Sequence, residues 1–245
     1  MGYTVILPTL NEKGHIVDLI KEIDKVFVSA KQEYEIIVVD DNSDDGTIDL
    51  VENIKNSQNH LRLFVRKNLK RNLAKSLNLG IEKSKYENVI WMDADFQHPP
   101  DHIKLFFEHQ NNFDVIIFSR FLKGSVRYYD KDSSIKEVNE NQSIFFNKLC
   151  KFFLYNDITD YTSGYICIKR KVLINYFLQG YYGDYFISLI THCKKNNFSI
   201  IEIPFNEGQR YSGHSKTLMN YSLKYLVICS FYFFSLVKSY FKKFF

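Results

Sequence analysis

Along the first 120 residues the apolar positions follow two alternating spacings. Tyr3–Leu7, Glu35–Val39 (EIIVV), Leu61–Val65, Val89–Met92 and Val115–Phe118 are short runs rich in β-branched residues, and they predict strands. Between the first two, Ile16, Leu19, Ile20, Ile23, Val26 and Phe27 recur at helical spacing, with Asn11 as the expected cap. Ile48–Ile54 and Leu73–Ile81 predict two further helices, and Pro99-Pro100 opens another, because proline suits a first helical turn. Strands that are apolar on both faces and alternate with helices predict an α/β fold, with a mostly parallel central sheet and helices on both faces.

The rhythm breaks at Leu122–Asn141, a polar stretch without a period that reads as a surface loop. A helix over Gln142–Leu154 follows, then strands at Tyr165–Ile168 and Ile200–Ile203. Composition shifts after Thr217, which divides the chain into a 1–217 domain and a C-terminal helix over 218–245. In that helix Tyr225–Val237 is uncharged and bounded by Lys224 and Lys238. Its length is about 20 Å as a helix, against a hydrocarbon core of about 30 Å. Lys224, Ser235, Lys238, Ser239 and Lys242 share one side and aromatic residues fill most of the rest. This predicts an amphipathic helix lying in a membrane interface; the competing expectation is a helix packed on the domain.

Composition narrows the classes. Hydrophobic residues at 45% exclude disorder as the main state, and no uncharged apolar run reaches the ~18–20 residues of a membrane span. A net charge of +4 is too small to argue for nucleic acid. Cys150, Cys167, Cys193 and Cys229 form no CxxC pair, so reduced thiols in a cytoplasmic compartment are expected rather than zinc or disulfides. The N-terminus enters a strand at once, so no signal peptide is expected. Neither GxxxxGK[ST] nor GxGxxG occurs, which disfavours P-loop hydrolases and dinucleotide dehydrogenases.

The chemistry-bearing residues gather at strand ends. Trp91-Met-Asp-Ala-Asp-Phe-Gln-His-Pro-Pro100 places Asp93 and Asp95 where an apolar strand stops, and in parallel sheets ligands bind at such ends. Read as extended chain, the two carboxylates point to one side and, with Gln97, offer an oxygen site for Mg²⁺ or Mn²⁺ holding a diphosphate. The plainer alternative is a cap for the helix at Pro100; His98, His102 and His109 read as structural or surface residues. Asp40-Asp41-Asn-Ser-Asp-Asp-Gly46 closes the second strand, where a carboxylate can accept hydrogen bonds from a nucleobase or ribose and where a turn is also expected. Leu7-Pro-Thr-Leu-Asn-Glu12 closes the first.

ILPTLNE, VVDDNSDDGT, MDADFQHPP, Ser119-Arg120-Phe121, Asp160-Tyr-Thr-Ser-Gly164 and Arg210-Tyr-Ser-Gly-His-Ser-Lys216 together resemble the family 2 inverting glycosyltransferases. The resemblance covers about residues 3–217 and is strongest to the polyprenyl-phosphate (dolichyl-phosphate) mannosyl- and glucosyltransferase branch. It implies a GT-A fold, a GDP- or UDP-sugar donor, a Mg²⁺ or Mn²⁺ cofactor and a polyprenyl-phosphate acceptor. It implies further that Pro8, Thr9, Asn11, Glu12, Asp40 and Asp41 surround the nucleoside, and that Asp93, Asp95 and Gln97 hold metal and diphosphate. Arg120 would meet the acceptor phosphate with help from Arg127, Ser163 would lie near the site, and Arg210 and Lys216 would close over the phosphates. Where the family usually has Gly-Leu-Gly before the third helix, this chain has Asn72-Leu73-Ala74.

A phosphate acceptor is anionic near neutrality, its second pKa being about 6, and needs positioning more than a base. The alternative is a sibling enzyme acting on a glycan or lipid-linked oligosaccharide hydroxyl. That chemistry needs a general base, for which Asp184 is the evident candidate, although a helix cap is the simpler expectation for it. The expected location is the cytoplasmic face of a membrane, peripheral or monotopic, with no nucleic-acid partner. A membrane-protein partner or a second copy of the chain is left as an open expectation.

Overall fold

The computed structural model describes residues 2–67, 69–126, 134–208 and 223–244, with side chains throughout these except 134–142 and 223–228. In chain order the elements are β1 (Gly2–Thr9), α1 (Ile16–Ser29), β2 (Glu33–Asp40), α2 (Thr47–Lys55), β3 (Leu61–Val65), α3 (Leu73–Lys83) and β4 (Asn88–Trp91). A short 3₁₀ turn then leads into α4 (Ile103–His109), followed by β5 (Val115–Ser119), α5 (Ser134–Phe153), β6 (Ile166–Lys169), α6 (Tyr185–Lys195), β7 (Ile200–Pro204) and α7 (Leu223–Phe244).

The strands form one sheet in the order β3-β2-β1-β4-β6-β5-β7. All are parallel except β6, which runs antiparallel to both β4 and β5. Two antiparallel steps restore direction, so the carboxyl ends of β1, β2, β4 and β5 share one edge with the entry to β6. Alternation along the strands splits the core: Ile36 and Val38 pack with α1, α2 and α4 on one face. Ile37 and Val39 pack with α3, α5, α6 and Leu236 of α7 on the other. The expected helices on both faces are therefore present.

Three local expectations are corrected. Asn11 does not cap α1; it stands at φ +56° and His15 occupies the cap position without a side-chain bond. Asparagine tolerates the left-handed region, and the turn after β1 uses it there. The expected loop over 122–141 gives way to helix from Ser134, because Ile135 and Val138 are a single apolar pair within a polar run, too few to set a period; 127–133, with Arg127, lie outside the described residues. On α7 the stripe expected to face lipid headgroups is partly turned inward. Ser235 and Ser239 are buried, 3.4 Å from Ser188 of α6, and Ser235 Oγ donates to the Asp184 carbonyl at 3.0 Å. Small hydroxyls allow close helix approach and bond locally, so the seam faces the domain, while Phe233, Phe234, Phe241 and Phe244 stay exposed.

Candidate active site

The turns after β1 and β2 are sewn together. Asp40 is fully buried and accepts from Thr9 Oγ1 at 2.8 Å, from Ser43 N at 2.7 Å and from Ser43 Oγ at 2.7 Å, so its carboxylate fixes the turn. Asn11 and Asp44 exchange two hydrogen bonds of 2.8 and 3.1 Å, and Asn11 N donates to Ser43 Oγ at 2.8 Å. Glu12 N donates to Thr47 Oγ1 at 2.9 Å and its carboxylate lies 2.8 Å from His15 Nε2, while Pro8 remains within β1 opposite Val39.

Asp41 belongs to a second network. Its Oδ1 accepts from Arg66 Nη1 at 2.5 Å and its Oδ2 from Asn72 N at 2.6 Å. Arg66 is itself buried and also donates to the Asn72 carbonyl and Ser76 Oγ. Burial raises the Asp41 pKa against the opposing pull of the Asn72 N–H and Arg66. Asn72 caps α3 by accepting from Lys75 N at 2.9 Å and ties it to the Gly180 carbonyl through Nδ2 at 2.9 Å.

Past β4 the chain turns at once. The extended-chain argument for Asp93 and Asp95 therefore does not apply: Ala94 and Asp95 lie in a turn, and Phe96 stands at φ +67°. Asp93 has a half-exposed side chain, and its N–H donates to His98 Nδ1 at 2.9 Å. Asp95 is buried, with Oδ1 accepting from Gln97 N at 3.0 Å. His98 is buried and stacked on Tyr165, which pins the turn to β6. From the other side Gly208 N donates to the Gln97 carbonyl at 2.9 Å. A Cβ on Gly208 would stand 2.2 Å from the Phe96 carbonyl, so only glycine permits this approach. Arg210 and Lys216, which follow, lie outside the described residues.

The donors of this turn decide whether it suits a divalent cation. Asp93, Asp95 and Gln97 offer hard oxygen atoms within five residues. Among the described residues no three His, Cys, Asp or Glu side chains form a metal cage. One or two carboxylates completed by substrate phosphate is a usual way to hold Mg²⁺, so the donor set fits.

At the end of β5, Arg120 forms a two-pronged pair with fully buried Asp160: Nε to Oδ2 at 2.8 Å and Nη2 to Oδ1 at 2.9 Å. Nη2 also donates to Thr162 Oγ1 at 2.8 Å, while Nη1 has no hydrogen bond to a described residue. Burial opposes the Arg120 charge, but the Asp160 carboxylate overcomes this and raises the arginine pKa; Arg120 correspondingly holds Asp160 below the usual carboxylate range. Ser163 is buried, donating to the Phe118 carbonyl at 2.5 Å, and so locks β5 to the entry of β6.

Asp184 stands at the start of α6 but makes no cap bond to the helix. Its Oδ1 instead accepts from Tyr181 N at 3.1 Å and Tyr182 N at 2.9 Å, and burial raises its pKa. The structure thus gathers Asp41, Asp93, Asp95 and Arg120 at one sheet edge. Sequence reasoning missed Arg66, Asn72 and Asp160 as supports. A signal for Arg66 existed: β2 and β3 pair Asp40 with Val65, so the next residues, Asp41 and Arg66, are neighbours.

The profile of the family described as Glycosyl transferase family 2 matches residues 4–177, well over half the chain. The chain belongs to that family. A dolichol-phosphate mannosyltransferase of Pyrococcus furiosus is 27% identical over 88% of this chain, which spans 59% of that protein's length. A protein of the same name from Saccharomyces cerevisiae is 26% identical, covering 91% of this chain and 84% of the relative. An undecaprenyl-phosphate 4-deoxy-4-formamido-L-arabinose transferase of Pseudomonas fluorescens is 27% identical over 87% of the chain and spans 59% when measured on the relative. Among solved structures, glucosyl-3-phosphoglycerate synthase of Mycobacterium tuberculosis with Mn²⁺, UDP and phosphoglyceric acid superposes with a TM-score of 0.66. It is 18% identical, covering 98% of this chain and 78% of that one, and shows a shared GT-A-like fold.

Proposed function

We propose that this family 2 protein is an inverting, metal-dependent glycosyltransferase that moves a mannose- or glucose-type sugar from a GDP- or UDP-sugar to a polyprenyl or dolichyl phosphate. The observation that carries the reading is the fixed guanidinium of Arg120. Two of its nitrogens are locked onto Asp160 and Thr162, while Nη1 has no hydrogen bond to a described residue and can turn its two N–H groups to a ligand. A guanidinium held this way suits an oxyanion that needs placement, and a phosphate is such an acceptor. The names of the curated relatives agree with a lipid phosphate in this role.

In the proposed reaction a phosphate oxygen attacks the anomeric carbon while the bond to the nucleoside diphosphate breaks on the opposite face, which inverts the configuration. Asp41, held by Arg66 and Asn72, borders the nucleoside; Asp93, Asp95 and Gln97 are the residues that would hold Mg²⁺ or Mn²⁺. Such an ion, when bound, neutralises charge on the departing diphosphate. Arg120 orients the acceptor, and Arg210 and Lys216 are the cationic residues assigned to the phosphates.

The membrane surface enters through α5 and α7. No helix of the described residues is long and apolar enough to cross a membrane. Yet the two helices touch through Phe153 and Tyr240, and Phe145, Phe152, Phe233, Phe234, Phe241 and Phe244 are exposed. The sequence has no Asp or Glu over 141–156 or 208–245, so the cationic charges of Lys148, Lys151, Lys238, Lys242 and Lys243 stand uncompensated within these segments. Burial, with Lys238 and Lys195 nearby, lowers the Lys242 pKa. An aromatic face rimmed by lysines fits peripheral attachment to anionic lipid, assigned here to the cytoplasmic face.

The second reading, transfer to a hydroxyl, is favoured only by the raised pKa of Asp184. Asp184→Asn separates the two. With lipid phosphate as acceptor, turnover should stay within about three-fold of wild type, since the amide oxygen can still accept the Tyr181 and Tyr182 N–H groups. A loss of 100-fold or more with intact donor affinity would transfer the argument to a hydroxyl acceptor.

A further inference from the structure

One side chain of α7 turns toward the crevice. Tyr232 packs its ring 5.5 Å from that of Phe146 of α5, and its Oη lies against the backbone at Gly183, where an added Cβ would stand 2.6 Å away. The helix that carries it is fixed directly below, through Ser235 Oγ on the Asp184 carbonyl and buried Leu236. Tyr232 lies within electrostatic reach of Asp184, Arg120, Asp93 and Asp160, and burial keeps its phenol protonated well above neutrality. Its ring partner Phe146 precedes Asn147, whose Nδ2 donates at 3.0 Å to the same Thr162 Oγ1 that accepts from Arg120 Nη2, which sets Tyr232 on the Arg120 side of the crevice.

Three buried phenols of the domain have partners in the protein, whereas Tyr3, at the amino end of β1 and away from the site, has no hydrogen bond to a described residue. Tyr161 donates to the Tyr155 carbonyl at 2.9 Å, Tyr165 donates to the Pro99 carbonyl at 2.9 Å, and Tyr185 accepts from Trp91 Nε1 at 3.0 Å. Tyr232 Oη has no hydrogen bond among the described residues. A half-buried phenol with no partner among the described residues, on the crevice side that holds Arg120, can donate to a bound anion.

We infer that Tyr232 is a binding residue for the acceptor, its O–H donating to the same phosphate that Arg120 Nη1 holds. The inference rests on the lipid-phosphate reading above and adds a residue to it. It also gives α7 two tasks: its outer face carries the exposed phenylalanines, and its inner face supplies a hydrogen bond at the acceptor phosphate. A lipid phosphate drawn from the bilayer surface would meet both on one element.

The test uses Tyr232→Phe, which keeps the ring packed on Phe146 and removes only the hydroxyl. Calorimetric titration of the full chain with farnesyl phosphate measures the acceptor end, and titration with UDP and GDP in Mg²⁺ measures the donor end. Farnesyl phosphate should bind the variant about ten-fold more weakly, with nucleotide affinity unchanged. In turnover assays the KM for lipid phosphate should rise while kcat changes little, a split that a general loss of packing would not give. Equal farnesyl phosphate affinity in the two proteins would overturn the role of Tyr232 and leave the proposed function standing. Failure of the wild-type protein to bind farnesyl phosphate at all would overturn both.

Discussion

Arg120 and Asp160 meet side-on, with Nε and Nη2 of one bonded to Oδ2 and Oδ1 of the other at 2.8 and 2.9 Å. Two parallel contacts fix the guanidinium plane as well as its position, which a single contact to a lysine ammonium cannot do. Arg120→Lys should therefore keep the charge and lose the orientation. The expected result is a drop in kcat/KM for the lipid acceptor of about 10–100-fold, the worth of one or two charged hydrogen bonds, with donor affinity retained. Steady-state kinetics with each substrate varied in turn would show it.

The same pair sets an acid limit on stability. Asp160 is buried and, against that burial, Arg120 lowers its pKa in the folded state. A depressed carboxyl contributes stability that is fully present above its unfolded value of about 3.9 and is lost as pH falls through the folded value. Asp160→Asn removes this contribution and leaves Arg120 without its counter-charge, at a cost of about 3–5 kcal/mol near neutrality. Urea unfolding from pH 7 to pH 3 should give a flatter acid limb for the variant. Parallel limbs would show that Asp160 is not the group responsible.

The aromatic platform makes a separate prediction. Phe152 of α5 is 81% exposed and Phe234 of α7 is 68% exposed, so replacing both with Ser should leave thermal stability nearly unchanged. Binding to vesicles containing anionic phospholipid should fall by about ten-fold or more, and binding of the wild-type protein should weaken as salt is raised. Sedimentation with vesicles measures both. Undiminished binding of the double variant would remove these faces from the contact.

Much of this architecture was legible because β2 and β5 are continuous apolar runs, and only a sheet covered on both sides asks for such strands. Asp93 was legible for a related reason, as a carboxylate placed where the apolar run of β4 stops, while Arg120 was legible only through the family resemblance. The direction of β6 was not, since Ile166–Lys169 carries no mark of its partners and an antiparallel strand reads like a parallel one over four residues. Arg66 looked like an ordinary surface cation because its burial arises only when β2 and β3 align and present Asp41 to it. The inward Ser235 and Ser239 seam was misread because periodicity groups residues by face without saying which face meets the protein. The tight turn at Asp95 and Phe96 was missed for want of glycine, the residue that usually announces a left-handed position.

The most direct measurement is transfer itself. The protein would be incubated with Mg²⁺ or Mn²⁺, undecaprenyl or dolichyl phosphate, and a panel of radiolabelled GDP- and UDP-sugars, then extracted into organic solvent. The proposal predicts acid-labile label in the lipid phase from at least one donor, absent when lipid phosphate is omitted and abolished by Asp95→Ala. Label recovered only in glycan, or full turnover surviving Asp95→Ala, would contradict it.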